Sequence, residues 1–231
     1  AVSDTTNFKI KKMKFIGLII VLLVNYNTFS QTGISVGGSL ISGFGSHKNL
    51  PGINLGIEIP SDNETSLFIR ASFTTRSTYS ESVLFQAIDP LTSPVVKSGV
   101  CDFKNGMFNL EGGTRHYLGE GYDSGLALYG GYIVMLNTNG VVRKEATGVD
   151  ETKYEFVNSL GEPYPKKGSI VSLNIGLNAG FKKHFGVGMV FFDVTAAYSI
   201  LGLSSNNLAN EYGTYSPLIF AFNLGFRRDL Y

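Results

Sequence analysis

Residues 169–183 read SIVSLNIGLNAGFKK, and apolar side chains alternate with small or polar ones along the whole stretch. The apolar set is Val171, Leu173, Ile175, Leu177, Ala179 and Phe181; the other set is Ser172, Asn174, Gly176, Asn178, Gly180 and Lys182. Successive side chains of a β-strand point to opposite faces, so the stretch predicts a strand with one apolar and one polar face. Because the polar face is rich in amides and glycine, we expect it to line a narrow barrel while the apolar face meets lipid.

Composition favours a β-rich protein of one domain. The chain has 231 residues, with 28 Gly, 17 Phe, 12 Tyr, no Trp and only 16% charged residues. A net charge of +1, without a stripe of Lys and Arg, argues against a nucleic-acid partner. A lone Cys101 has no partner for a disulfide or a metal site, so we predict no cofactor and no metal.

The first 30 residues predict an export signal. Four lysines precede or open an apolar run at residues 15–24, and the small residues Thr28 and Ser30 hold positions −3 and −1 before Gln31. The run is about ten residues, which is too short to cross a bilayer as a helix. The alternative is an amphipathic first helix of the folded protein. We expect Met13 to be the true start, so that residues 1–12 lie upstream of it and residues 13–30 are a signal peptide that is cleaved before Gln31.

Seven further stretches alternate in the same way. They are residues 33–46, 52–60, 66–76, 106–118, 125–138, 188–200 and 217–228. Eight strands in hydrocarbon must close, because each unpaired backbone group at an open edge costs several kcal/mol. Residues 31–231 are therefore predicted to form one domain, an all-β, eight-stranded antiparallel transmembrane up-and-down β-barrel. An even number of strands brings both termini to the same rim.

The connections between these strands alternate in length. Short links are predicted at residues 61–65, 119–124 and 185–187, and long ones at 77–105, 139–167 and 202–216; residues 47–51 form a brief loop on the long-loop rim. Periplasmic turns are short and extracellular loops long in outer-membrane barrels, so both termini are predicted to be periplasmic. The alternative, a soluble β-sandwich, has no reason to sort its connections in this way.

Polar residues at inward positions predict a closed lumen. The expected network consists of Glu58, Arg70, Glu111, Arg115, Lys182 and Asp193, with Asn174 and Asn178 beside them. Three acids and three bases balance one another, so ion pairs and hydrogen bonds are expected to plug the barrel. The alternative is a small-solute channel or a lumen that binds a small ligand, for which eight strands leave little room.

Catalysis is disfavoured by the placing of the histidines. His116 and His184 fall at predicted strand ends, and His47 lies in a loop beside Lys48 without a nearby acid. An outer-membrane lipid-modifying enzyme would need a His, a hydroxyl nucleophile and an acid together. We therefore expect no enzyme, and a structural or partner-binding role for the long loops at residues 80–104 and 141–156, of which the second is also expected to extend its flanking strands.

Taken together, these features resemble the small outer-membrane β-barrel proteins of OmpA-like type, particularly those of Bacteroidota. The resemblance rests on the eight alternating segments, on the export signal ending Thr28, Phe29, Ser30, Gln31, and on a final strand that ends in the aromatic Tyr231. Arg227, Arg228 and Asp229 interrupt the outward aromatic row of that strand. The resemblance implies outer-membrane lipid and the barrel-assembly machinery as partners, with a possible protein partner at the extracellular loops.

Overall fold

A computed structural model describes residues 32–43, 49–119, 121–123, 125–158 and 160–230. Its elements are β1 (Thr32–Gly43), β2 (Asn49–Pro60), β3 (Thr65–Thr74), β4 (Ser77–Ala87), β5 (Val96–Leu118), β6 (Leu126–Arg143), β7 (Tyr154–Phe156), β8 (Lys167–Phe185), β9 (Gly188–Ser204), α1 (Asn207–Tyr212) and β10 (Leu218–Leu230). The predicted export signal, His47 and Tyr231 lie outside the described residues. None of the described helices is long and apolar enough to cross a membrane.

Eight of the strands close into an antiparallel barrel. Their order is β3-β2-β1-β10-β9-β8-β6-β5, and β3 pairs with β5 to complete the ring. Thr32 pairs with Leu230, so the start of β1 and the end of β10 share one rim. We call this the turn rim, because the short links 61–64, 119–125 and 186–187 also lie there; the opposite end is the loop rim. The predicted eight-stranded up-and-down barrel is confirmed.

Side chains of the barrel strands alternate between outside and inside along most of their length. In β3, Leu67 and Ile69 are 49% and 60% exposed, whereas Phe68 and Arg70 between and beyond them are 4% and 2% exposed. The same alternation gives the barrel an outer belt of large apolar side chains. The belt includes Ile34, Val36, Ile53, Leu55, Ile57, Leu110, Leu128, Val134, Ile175, Leu177, Phe222 and Leu224. An exposed apolar surface of this extent is typical of contact with lipid.

Several strands are much longer than a bilayer requires. β5 has 23 residues and β8 has 19, whereas a transmembrane strand needs about 9–11. The first half of β5 leaves the loop rim and pairs with β4, from Ser77 with Asn105 to Gln86 with Val96. β7 then pairs with β4 from the other side. Together with α1, these segments form a folded unit, here called the cap, which comprises residues 77–105, 139–158, 160–167 and 204–217.

The cap corrects the expectation of two long loops. Residues 80–104 form a hairpin, and within 141–156 β6 continues only to Arg143, while β7 pairs with β4 and does not extend the next barrel strand. The hairpin forms because its inward positions are apolar. Val83, Phe85, Cys101 and Phe103 of the hairpin pack into a hydrophobic core. Its other members are Val141, Tyr154, Phe156, Tyr164, Ile170, Leu208 and Ala209. Burying this surface supplies the free energy that an isolated two-stranded hairpin lacks.

Helix α1 lies over the mouth of the barrel. Asn206 caps it by accepting a hydrogen bond from the Ala209 N–H at 3.2 Å. The Tyr212 ring stacks on Phe103 with centroids 4.3 Å apart, and its carbonyl accepts from the side chain of Asn105 at 3.2 Å. Asn105, at the point where β5 passes from the barrel into the cap, thus holds the end of α1 in place.

Candidate functional site

Asp193 is the centre of the polar network inside the barrel. Its carboxylate accepts two hydrogen bonds from Arg70, from Nη1 at 2.9 Å and Nη2 at 3.0 Å, and one from Arg115 at 2.9 Å. Tyr129 and Asn223 donate to it as well, at 3.2 and 2.9 Å. These residues come from five strands, so one carboxylate ties the barrel wall together across the lumen. Charge-assisted bonds of this kind are about twice as strong as neutral ones.

Glu58 is a second acceptor, nearer the turn rim. Ser66 donates to it at 2.5 Å and Arg227 at 2.7 Å. Arg115 and Tyr117 also donate to its carboxylate. Because Arg115 bonds both Glu58 and Asp193, the two clusters form one continuous network.

The remaining predicted charges extend this network at its edges. Glu111 accepts from Nε of Arg70. Lys182 donates to the carbonyl of Tyr122 and lies over two aromatic rings, 4.2 Å from the centroid of Tyr117 and 3.9 Å from that of Tyr122. The ammonium of Lys182 is therefore held by a carbonyl and by cation–π contacts.

The structure brings the six predicted charged residues inside the barrel, each at most 6% exposed. The two predicted amides lie inside as well but outside the ionic network. Asn174 donates to the carbonyl of Met135 at 3.1 Å, whereas the side chain of Asn178 makes no hydrogen bond to any described residue.

Sequence reasoning missed Arg227 and Asn223. Both lie on β10 on the parity opposite to the aromatic row, so the same alternation rule could have found them. Arg227 adds a fourth base to the interior, and Asp229 lies 3.2 Å from its Nε. The pairing of acids with bases in the barrel interior therefore extends to the turn rim.

Packing leaves little space within the network. A cavity of about 10 Å³ lies between Glu58, Arg115, Tyr129, Lys182 and Arg227, which is room for roughly one water molecule. Toward the loop rim, the interior holds an apolar cluster of Ile41, Leu50, Met107, Ile219 and Ala221.

The cap contains a pocket of about 380 Å³ with an ion pair in its wall. Arg143 donates two hydrogen bonds to Glu151, at 2.7 and 3.2 Å, and the Ala146 N–H donates a third at 2.9 Å. Burial alone would raise the pKa of Glu151, but these donors outweigh it and hold its pKa below the ordinary value. The pair joins the end of β6 to the following loop, so it stabilises the cap itself.

The tip of the β4–β5 hairpin exposes apolar side chains beyond the cap core. Leu91 is 90% exposed and Ile88 57%. Leu84, Val95 and Val96 are each more than half exposed in the same hairpin. A cluster of exposed apolar residues at the end of an ordered hairpin is typical of an interaction surface.

Neither described histidine has the surroundings of a catalytic base. His116 is exposed on the outer wall, where its Nδ1 lies 3.5 Å from the hydroxyl of Thr65. His184 is exposed at the turn rim. Within the described part of the chain there is no group of three or more His, Cys, Asp or Glu that could hold a metal ion.

Comparison with solved structures finds similar chains. The attachment invasion locus protein Ail of Yersinia pestis, in complex with sucrose octasulfate, is 16% identical with a TM-score of 0.45, over 86% of this chain and 98% of that one. A major outer membrane protein of Thermus thermophilus is 10% identical with a TM-score of 0.46, over 86% and 99%. The outer membrane protein OprG of Pseudomonas aeruginosa is 11% identical with a TM-score of 0.46, over 86% and 95%. No family model and no curated protein matches the chain. At these identities and TM-scores, the likenesses carry no inference about ligand, partner or activity.

Proposed function

We propose that this chain is a sealed outer-membrane β-barrel protein that displays its folded cap to a protein partner outside the cell. The observation that carries the proposal is the second hydrophobic core beyond the loop rim. A barrel that only spanned the membrane would need strands of about 9–11 residues and no such core. The cap contains more than a third of the described residues, and the tip of its β4–β5 hairpin is apolar.

Location in the outer membrane is supported by the belt and by the sorting of the connections. The belt encircles the barrel, and only closed barrels and helices satisfy every backbone group in hydrocarbon. The short turns, the start of β1 and the end of β10 share one rim. We therefore assign the turn rim to the periplasm and the cap to the outside. Lipid contact follows from this location, and the barrel-assembly machinery is the expected insertion partner.

Sealing is supported by the interior network rather than by any single residue. Arg70 and Arg115 each contact two acids, and both reach Asp193 on β9 across the lumen; the cap covers the other end. Ions would have to separate these pairs in a low dielectric to pass, which costs several kcal/mol for each uncompensated charge. A structural and displaying role therefore fits the interior better than conduction.

The partner surface we propose is the hairpin tip. Leu91 is 90% exposed at this tip, and Ile88, 57% exposed, stands beside it at the edge of the cap pocket. The hairpin below them is held by the pairing of β4 with β5, so the tip is presented on a rigid support. Binding would then bury these side chains, with roughly 25 cal/mol per Å² of apolar surface as the driving force.

A pull-down from native membranes tests the proposal. Tagged protein would carry Leu84→Ser together with Leu91→Ser, or a shortened tip in which Asn-Gly replaces residues 88–94. The shortened hairpin should still close, because the Ala87 N–H already donates to the Val95 carbonyl at 2.8 Å. Leu160→Ser is the matched control, since Leu160 is an exposed leucine in a different loop.

We expect the mature protein to fractionate with the outer membrane and to change its gel mobility on heating. A partner should be lost with both tip variants and retained with the Leu160 control. Recovery of the chain as a soluble periplasmic protein would refute the membrane assignment. A partner that survives both tip variants would refute the hairpin tip as its binding surface.

A further inference from the structure

A groove of about 290 Å³ runs along the outer wall where the belt ends at the loop rim. We call it the loop-rim groove. Its floor is formed by Gly106, Phe108 and Gly140, and Val142 lies on one side. Arg76 and Lys104 also line it. Apolar surface and two cations thus meet in a single concavity, at the level where a bilayer changes from hydrocarbon to headgroups.

The position of the two cations follows from strand register. Outward side chains of β5 run from Lys104 through Gly106 and Phe108 into the belt at Leu110, about 7 Å apart for each pair of residues. Arg76 precedes β4, whose Ser77 pairs with Asn105. The Arg76 side chain therefore lies across Gly106, and a Cβ at that glycine would be 3.3 Å from its Cγ. Both cations therefore line the same groove, Lys104 from β5 and Arg76 from the link between β3 and β4.

Neither cation is neutralised by a residue that the structure describes. Among the described residues, no acid forms an ion pair with Arg76 or Lys104. Asp102, the next outward acid on β5, already accepts from Ser80 at 2.7 Å and pairs with Lys144 at 3.7 Å. Two positive charges are thus left facing the groove, and an anion would complete it.

We propose that the loop-rim groove binds the phosphate of an anionic lipid in the outer leaflet, with the start of an acyl chain lying over Phe108 and Gly140. This inference rests on the membrane assignment above. Arg and Lys are the side chains that recognise phosphate, Arg by a bidentate contact and Lys as a point charge. A lipid fits better than a soluble anion because the groove opens sideways into the belt, where only a membrane-bound molecule can fill its apolar floor.

Gly140 provides a way to test the chain-binding half of the site without changing charge. A Cβ at this position would meet no atom within 4 Å, so Gly140→Leu should fold and fill the groove. Arg76→Gln with Lys104→Gln tests the phosphate half. The matched control is Lys183→Gln with Arg228→Gln, which removes two exposed cations near the turn rim.

The measurement is a binding titration followed by native mass spectrometry. Full-length barrel in an uncharged maltoside detergent, which supplies no competing phosphate, would be titrated with bisphosphorylated lipid A and with the same lipid after dephosphorylation. Each Lys or Arg near an anionic lipid contributes about 1 kcal/mol. The double Gln variant should therefore bind the phosphorylated lipid roughly 30-fold more weakly. Gly140→Leu should also weaken binding, and the turn-rim control should match the unmodified protein.

Several results would overturn the site. They are equal binding of the dephosphorylated lipid, an unchanged affinity in the double Gln variant, an equal loss in the turn-rim control, or displacement of the lipid by excess inorganic phosphate alone. Heat-modifiable gel mobility of each variant is measured first. If the barrel folds and inserts but binds lipid with and without phosphate equally well, only the groove proposal is refuted. If the chain does not insert, the membrane assignment is refuted.

Discussion

Replacing Asp193 by Asn should destabilise the barrel by about 3 kcal/mol, although the side chain hardly changes shape. Asp193 is fully buried and accepts charge-assisted bonds from Arg70 and Arg115. Removing one partner of a buried ion pair typically costs about 3–5 kcal/mol, because it leaves an uncompensated charge. Each arginine retains a second carboxylate, Glu111 or Glu58, so the lower end of that range applies.

The assay is equilibrium unfolding in urea with the barrel refolded into lipid vesicles. The chain contains no Trp, so unfolding would be followed by circular dichroism and by heat-modifiable gel mobility. Asp102→Asn is the matched control, since the Asp102–Lys144 pair is about half exposed and separated by 3.7 Å. Exposed pairs of this kind contribute at most about 1 kcal/mol.

Equal stabilities of Asp193→Asn and Asp102→Asn would refute the reasoning, because the interior network would then contribute no more than a surface pair. A double-mutant cycle with Arg70→Gln strengthens the test. If the two side chains interact directly, the double variant should be more stable than the sum of the single losses predicts. Strict additivity would mean that Arg70 and Asp193 do not couple in the folded barrel.

Three further predictions follow from the sealed lumen and the cap. Reconstituted protein should show no steady unitary conductance in planar bilayers; stable steps that change with Arg115→Glu would instead favour the channel interpretation. Phe103→Ala should destabilise the cap by about 3–5 kcal/mol, because Phe103 is fully buried; limited proteolysis should then cleave the cap while heat-modifiable mobility persists, and loss of that mobility would contradict a separate cap core. The depressed pKa of Glu151 means that its contribution is present above its ordinary unfolded-state pKa and is lost as pH falls through its folded value; the protection factors of cap amides, which correct for the intrinsic slowing of exchange at low pH, should fall as pH is lowered in the unmodified protein, with a smaller change in Glu151→Gln, and an equal fall in both would refute the role of this pair.

Alternation alone was enough to predict which face of each barrel strand meets lipid. Leu67 and Arg70 in β3 fall on opposite parities, and a period of two assigns them to opposite sides whatever the strand pairs with. The inward charges Glu58, Arg115 and Asp193 could therefore be identified as interior residues. Closure into a barrel also followed from local pattern, since a sheet in hydrocarbon has no stable open edge.

Which charges pair with which was decided only by the tertiary structure. Glu58 and Arg227 are far apart in the chain and meet because β10 returns to pair with β1. The relative stagger of the strands sets such meetings, and it is a property of the closed ring that no single strand encodes. The parity of Arg227 by itself places its side chain inside the barrel, whereas its pairing with Glu58 depends on the closed ring.

The cap could not be predicted from the sequence either, because it too depends on contacts between segments that are distant in the chain. The apolar residues Val83 and Phe103 have the alternation of strands, but a hairpin of that length is unstable in water by itself. Its stability comes from packing against β7, α1 and the continuation of β6, which are distant in sequence. Local pattern therefore determined where the chain crosses the membrane and which side chains face lipid, whereas only long-range packing decided that the segments beyond the membrane fold together.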